Sequence, residues 1–527
     1  MKPLLQIREE KERNFQLAAY GVIAIALVSA CAKAEIASLT TDEAWAYNMW
    51  ISEGLQKIWQ DYHLPTNHIL YSISVYLCLS LFGLDEFVLR LPSLLSFAGF
   101  LLILKYMIQI SIRHISLRFL CLVSVALHPY VIDFAALSRG YTLMNACLYG
   151  ALCLALTYGQ RRSEWKLLVA GIALGCAFGA IPISLYLILA LNIVMCSSFC
   201  LSKSSNLRKE LLMFLLPQLV VVTLVFFFGF EGLDSKGFFW GHKTFSESLN
   251  SLGQILLYIP QGQLDFMGYP NFSFPSLNAW QQDFFSRNLS AWFYQMPLGF
   301  FLLSLFALAA VLVGRNILKK YPDVVWNDSL LFFASIWLVS VAGAFVHGWA
   351  FGALYLRNRV WLPWIPLCFL MSFRCVDFLL CQTKDRLRQK VHICVICVCL
   401  VFNAYWLSKI DLQTYWEWPN DSVVKMLFQK LKEAPIPKSK ASLGLPFYHH
   451  ATFVFYRDYY GLDWLEFPVK QSHLPLYDLM FVSHCNMRID LSDYREILSY
   501  PQCDIKLYKH KDLNTIDTDK IRGVIHD

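Results

Sequence analysis

The chain has 527 residues, 57% of them hydrophobic and only 16% charged, with a mean hydropathy of +0.45. Soluble domains carry roughly 25% charged residues, so this composition excludes an ordinary globular protein and points to a polytopic membrane protein with about one soluble domain. The net charge of +7 is spread over short Lys/Arg clusters between apolar runs, which excludes the single concentrated basic face of a nucleic-acid binder.

In chain order, a charged start, MKPLLQIREEKERN, precedes an apolar run from Phe15 to Ala34 that is long enough to span a bilayer. Val28-Ser29-Ala30-Cys31 resembles a lipoprotein cleavage box, but a first span followed by many others needs no cleavage. Basic residues before the run place the N-terminus in the cytoplasm. The stretch Ser38–Trp50 then faces outward and carries the adjacent carboxylates Asp42 and Glu43; the polar LPTNH, Leu64–His68, follows. Ile69–Phe82 is apolar but, at about 14 residues, too short to cross. Laid in the outer interface as a juxtamembrane helix, it puts Arg113–Arg118, Gln160–Lys166, Ser202–Lys209, Arg315–Lys320 and Lys384–Lys390 all on the cytoplasmic side.

The expected spans are then 15–36, 91–111, 117–135, 141–159, 166–181, 183–200, 210–229, 296–314, 328–346, 361–380 and 391–408, about eleven in all. The outer face receives loops 37–90 and 230–295, the second with an interfacial helix near SESLNSLGQILLYI, and everything after residue 408. This divides the chain into a transmembrane domain, 1–408, and an extracytoplasmic domain, 409–527. In the latter SVVKMLFQKLKEA has helical periodicity, while ASLGLPF, ATFVFYRDYY, YDLMFVSH and DIKLYKH read as strands, giving a small α/β fold. Of the 16 cysteines, all but Cys485 and Cys503 lie in or beside apolar runs and act as small apolar residues. Those two suit a disulfide if their domain is periplasmic.

Four polar groups share the outer side. Asp42-Glu43 alone reads as a helix start, with Thr41 as cap and acidic residues in the first turn. Asn67-His68 alone reads as an interfacial anchor or another helix start. His128, Asp133, Arg139 and Tyr141 lie at the mouth of two spans, with an Asp133–Arg139 ion pair as the structural alternative. Arg357 and Arg359 suit interfacial snorkelling. Together, carboxylates and arginines at one interface suit removal of a proton from an acceptor and retention of a departing lipid phosphate. His449, His450 and Asp458 are the metal-type residues of the C-terminal domain, where surface roles are the commoner use.

The segments TTDEAWAY, LPTNHILYSISVYLCLSLFGLDEFVLRLPSLL, HPYVIDFAALSRGYTL and LYLRNRVWLPWIPL resemble the bacterial glycosyltransferase family 39-like membrane proteins. These are relatives of protein O-mannosyltransferases and of the lipid A aminoarabinose transferase. Leu81–Ser93 is the most specific piece; the resemblance weakens over the long outer loop and the C-terminal domain. It implies a GT-C fold and a polyprenyl-phosphate-linked sugar donor, with no cofactor beyond a possible divalent metal. It also implies Asp42 as general base, Glu43 in support, and Arg139 and Arg359 near the donor phosphate. Several relatives have Lys-Pro or His-Pro-Pro where this chain has Asn67-His68, so His68 could meet the phosphate only when protonated or as a neutral N–H donor. Arg90 also matches and reads as an anchor for the juxtamembrane helix. The expected partners are the donor, a lipid, glycan or protein acceptor and the bilayer, at the outer face of the cytoplasmic membrane. A secondary transporter, which should show broken helices in paired halves, and a non-catalytic receptor or assembly protein remain the alternatives.

Overall fold

A computed structural model describes residues 2–60, 67–160, 162–201, 206–226, 241–258, 329–433, 440–445, 449–466, 469–470, 477–483, 492–500 and 505–511. The expected span at 296–314, most of the loop 230–295, and Cys485 and Cys503 lie outside these residues.

The described residues form two compact units. The first comprises those up to Ala32, from Leu55 to 258 and from 329 to Ile410. The second comprises Lys33–Gly54 and those from Asp411 onward, so Lys33–Gly54, expected with the transmembrane part, groups with the C-terminal domain.

The first unit is helical. Its long helices are α1 (Lys2–Ile36, ending in the second unit), α5 (Glu86–Ser111), α8 (Tyr141–Gln160), α9 (Glu164–Ala180), α10 (Leu185–Leu201), α11 (Leu207–Phe226), α13 (Ser329–Phe351), α14 (Trp364–Gln382) and α15 (Asp385–Leu407). Seven described helices are long and apolar enough to cross a membrane, and eight if the pair α6 (Ile115–Ala126) and α7 (Pro129–Ala135) counts as one span. That pair, expected as one unbroken helix over 117–135, bends by 53°. Pro129 causes the break, because a proline disfavours helical backbone at the residue before it and itself suits the first helical position. Many large apolar side chains point outward, among them Val28, Leu95, Leu219 and Val401, as expected of helices solvated by lipid. α9 meets α11 through Gly171, Gly175 and Gly179: a methyl on Gly171 would come within 2.4 Å of the Phe214 carbonyl oxygen. Small residues spaced by four let helix backbones approach this closely.

Between the long helices lie α3 (Leu55–Gln60), the 14-residue apolar α4 (Ile69–Phe82) and α12 (Phe245–Leu257). α12 opens with a reciprocal capping box between Thr244 and Glu247. One end of α6 is tied to α14 by Asp377, whose Oδ1 accepts the backbone N–H groups of Arg113 and His114 and lies 2.6 Å from His114 Nδ1. Cys381 is close enough to complete a metal-type trio with these two residues, but the carboxylate is already engaged as a helix cap.

In the second unit, α2 (Thr41–Ala46) runs into a π-helical turn, Tyr47–Ile51, and the C-terminal part supplies α16 (Val424–Glu433), α17 (His450–Tyr459) and a five-stranded sheet. The strands β1 (Leu443–Leu445), β2 (Val469–Lys470), β3 (Leu479–Ser483), β4 (Tyr494–Tyr500) and β5 (Ile505–His510) are ordered β2-β1-β3-β5-β4. β1 is parallel to β2 and β3; β5 is antiparallel to β3 and β4. ATFVFYRDYY, expected as a strand, is the helix α17. Its aromatic and β-branched residues suit strands locally, but as a helix it buries Thr452, Phe453, Phe455 and Tyr456, and packing overrides propensity. Phe453 meets Phe428 of α16 and Phe481 of β3 edge-on, with ring centroids 5.1 and 4.7 Å apart.

Candidate functional site

The candidate residues divide between the two units. In the first, His68 ends the polar LPTNH stretch as the N-cap residue of α4 and is buried. Its Nδ1 accepts the backbone N–H of Gly140 at 3.0 Å. A ring nitrogen that accepts a hydrogen bond carries no proton, so the proton of His68 sits on Nε2, and the imidazole is neutral. Burial first, then the charges of Arg139 and Arg359, hold its pKa well below the usual histidine value. Arg139 Nη2 lies 3.4 Å from His68 Nε2. Two donors side by side, backed by the charge of Arg359, make a place for an anionic oxygen. The structure thus brings together His68, Arg139 and Arg359 and selects the neutral N–H donor among the two forms open to His68.

The surrounding residues fix that cluster. Ser93 Oγ donates to the Leu137 carbonyl at 2.6 Å and lies 3.0 Å from that of Arg139; Ser138 Oγ donates to the Leu89 carbonyl at 2.7 Å. A methyl on Gly140 would stand 2.7 Å from the Ala180 carbonyl oxygen, so only glycine lets the backbone N–H reach His68. Tyr141 packs edge-on against the His68 ring, centroids 5.7 Å apart. Asn67 is buried and shapes the approach to α4: its Nδ2 donates to the Ile58 carbonyl at 3.0 Å, and its Oδ1 accepts from Ser72. Each residue of SRGY and of NH therefore has a separate task. Asp133 is buried on α7, and Arg90 is wholly buried on α5.

Arg357 and Arg359 flank Asn358, whose φ of 45° puts it in the left-handed region that Asn tolerates better than most residues. Ser251 of α12 holds this turn, accepting from Asn358 N at 2.8 Å and lying 3.2 Å from its Oδ1; Ser248 donates to the Leu356 carbonyl at 2.6 Å. The two arginines act on different partners. Arg359 depresses His68, while Arg357, second to burial, depresses His242, against the opposing charge of Glu247. Sequence reasoning grouped Arg357 with Arg359, and the left-handed turn between them left no signal beyond the asparagine itself.

In the second unit, Asp42 is half-buried in the first turn of α2. The cap is Thr40 rather than Thr41: its side chain accepts from Glu43 N, and Glu43 Oε2 accepts from Thr40 N at 2.7 Å. The Thr-x-x-Glu spacing of this capping box is visible in the sequence. Thr41 turns instead to Asp421, donating its N–H to Oδ2 at 2.7 Å and its hydroxyl to Oδ1 at 3.1 Å. Asp421 is fully buried beside His449, whose Nδ1 is 3.2 Å away, and burial pushes its pKa up while the His449 and Thr41 contacts pull it down. Nothing in the sequence marked Asp421, which lies 380 residues from Thr41. His449 is thus engaged inside the unit, while Asp458 pairs with Arg457. Among the described residues, the one trio spaced for a metal is His114, Asp377 and Cys381, which includes neither Asp42 nor Glu43.

No protein-family model matches the chain, and no curated protein matches it in sequence. Solved structures do align. The ArnT of Cupriavidus metallidurans in the apo state covers 92% of this chain and 96% of its own at 11% identity, with a TM-score of 0.47. The same protein bound to undecaprenyl phosphate covers 92% and 97% at 13% identity and a TM-score of 0.40. An oligosaccharyltransferase of Archaeoglobus fulgidus tethered to an acceptor peptide covers 83% of this chain and 63% of its own at 12% identity, with a TM-score of 0.43. All three scores lie below 0.5, so the roles assigned below rest on this chain's own residues.

Proposed function

We propose that this chain is a membrane glycosyltransferase of the GT-C type, moving a sugar from a polyprenyl-phosphate donor to an acceptor at the outer face of the cytoplasmic membrane. The observation that carries the reading is the paired donors of His68 and Arg139, with the charge of Arg359 beside them. They suit a phosphate whose negative charge grows as the sugar leaves. The family motifs spelled by the same residues agree, and the lipid tail of such a donor can stay among the outward-facing apolar side chains.

In this mechanism Asp42 takes the proton of the acceptor hydroxyl or amine as it attacks the anomeric carbon. The bond to the lipid phosphate breaks, and the phosphate is retained by Arg139, Arg359 and the neutral His68. One base and no covalent sugar intermediate give inversion at the anomeric carbon. Glu43 acts by closing the cap that holds Asp42; with one of its oxygens committed there, no step is assigned to a metal. Arg357, beside His242, belongs to the margin of the donor site. A transporter built on paired halves should break two helices; among the described residues one pair is bent.

The test begins with the donor. A strain lacking this gene should accumulate a lipid-linked sugar, and wild-type membranes should consume it. Membranes with Asp42→Asn should consume it about 100- to 10,000-fold more slowly at equal expression and insertion. An active Asp42→Asn enzyme would overturn the assignment.

A further inference from the structure

We infer that Asp421 and His449 are positioning residues that set the orientation of Asp42. The inference rests on the reading of Asp42 as the base, and it gives the C-terminal α/β unit a part in the reaction.

α2 has six residues, far too few for a helix to hold its own geometry in water. Its direction must come from what it is fastened to. One fastening lies at Thr41, the residue before Asp42, where the two oxygens of one carboxylate take the N–H and the hydroxyl of a single residue. Such a two-point clamp fixes rotation as well as position. Asp421 is 1% exposed and His449 0% exposed. His449 Nδ1 holds the same Oδ1 that takes the Thr41 hydroxyl, and Thr452 Oγ1 lies 3.3 Å from Thr41 Oγ1.

The rest of the segment is tied down by contacts of another kind. Leu39 N donates to Tyr456 Oη at 2.7 Å, Asn48 Nδ2 to the Ala451 carbonyl at 2.9 Å, and Tyr47 packs edge-on against Phe455. Lys33, wholly buried, donates to the carbonyls of Asp411 and Thr414 at 2.5 and 2.6 Å and lies over the Tyr415 ring. These hold the segment in place and would do so with an apolar residue at position 421. Burying an ionisable pair is a poor route to stability, since apolar residues of similar volume do as well or better. What the pair adds is direction, applied one residue before Asp42.

The experiment uses the full-length protein in detergent, with the lipid-linked sugar from the deletion strain as donor. Asp421→Ala is expected to lower kcat by about 100-fold, the scale of a misplacement of about 1 Å, with the donor KM unchanged. Asp421→Asn keeps an acceptor for Thr41 N–H and is expected to recover about tenfold of that loss. His449→Gln should fall between them. In the Asp42→Asn background Asp421→Ala should cost nothing more, because a residue acting through Asp42 has nothing left to act on. Phe428→Leu, a core change in the same unit, should lower the thermal midpoint without lowering kcat. Hydrogen exchange across residues 40–47 should rise in Asp421→Ala, Asp421→Asn and His449→Gln, and not in Phe428→Leu. Should Asp421→Ala fail to fold, the other two variants carry the test. Wild-type kcat and exchange in Asp421→Asn and His449→Gln, beside an inactive Asp42→Asn, would overturn this inference and leave the transferase reading standing. An active Asp42→Asn would overturn the reading itself, while the exchange result would still decide whether the pair orients α2.

Discussion

Glu43 has a structural task that can be tested apart from any chemical one. Its carboxylate accepts from Thr40 N, a task glutamine performs as well in a capping box. Glu43→Gln should therefore retain transfer close to wild type, whereas Glu43→Ala loses the cap, at a cost of about 1 kcal/mol, and slows the reaction with it. Loss of activity in Glu43→Gln, measured on the same donor, would instead assign the carboxylate a direct part. His68 makes a second test. Its pKa in the folded protein is depressed, while the unfolded chain titrates near 6.5. The stability this contributes is complete above about pH 6.5 and is lost as pH falls through that value toward the folded one, because the unfolded chain then takes up a proton the folded protein refuses. The thermal midpoint of the wild type should fall more steeply below about pH 6.5 than that of His68→Gln; equal slopes would rule out a neutral buried His68.

At the level of elements, apolar runs announced their helices because both the lipid and the core reward an unbroken stretch of about 20 residues. The shorter helices α4 and α12, of 14 and 13 residues, were legible from local apolar pattern, while the Thr-x-x-Glu box that opens α12 stood in the sequence unused. The bend at His128-Pro129 was written in the proline and lost in the hydropathy, which does not change across it. Strands β2 and β4 went unread and α17 was misread, since short segments in a small α/β unit take their form from neighbours distant in sequence. The site divides along the same line. SRGY and NH were visible as motifs, while the clasp of Asp421 and the hold of Ser248 and Ser251 on the arginine turn came from contacts more than 100 residues apart. The glycine seam supplies an element-scale prediction. Gly171→Leu must push α11 away from α9, and overpacking of this kind costs about 1–3 kcal/mol. Gly99→Ala on α5, where a methyl would meet nothing within 4 Å, should leave the thermal midpoint unchanged, and equal effects would mean that the seam is not close-packed.

For the whole molecule, the positive-inside reading puts the exposed Cys200 and Cys381 on the cytoplasmic side and the α/β unit outside. A membrane-impermeant maleimide applied to spheroplasts should leave both thiols unlabelled until the membrane is opened. The same reagent should label Lys440→Cys, at an exposed position in that unit, at once; the reverse pattern would invert the topology. The membership of Lys33–Gly54 in the second unit has a consequence in time as well as in space. The Leu39–Tyr456 bond joins residues 417 positions apart, and at about 5–20 residues per second the ribosome needs about 20–80 seconds to deliver the second after the first. Throughout that interval Asp42 has left the ribosome but lacks its anchorage. Only after Tyr456 has been made can this bond form, so under the proposed mechanism a chain that stops before it is expected to be inert.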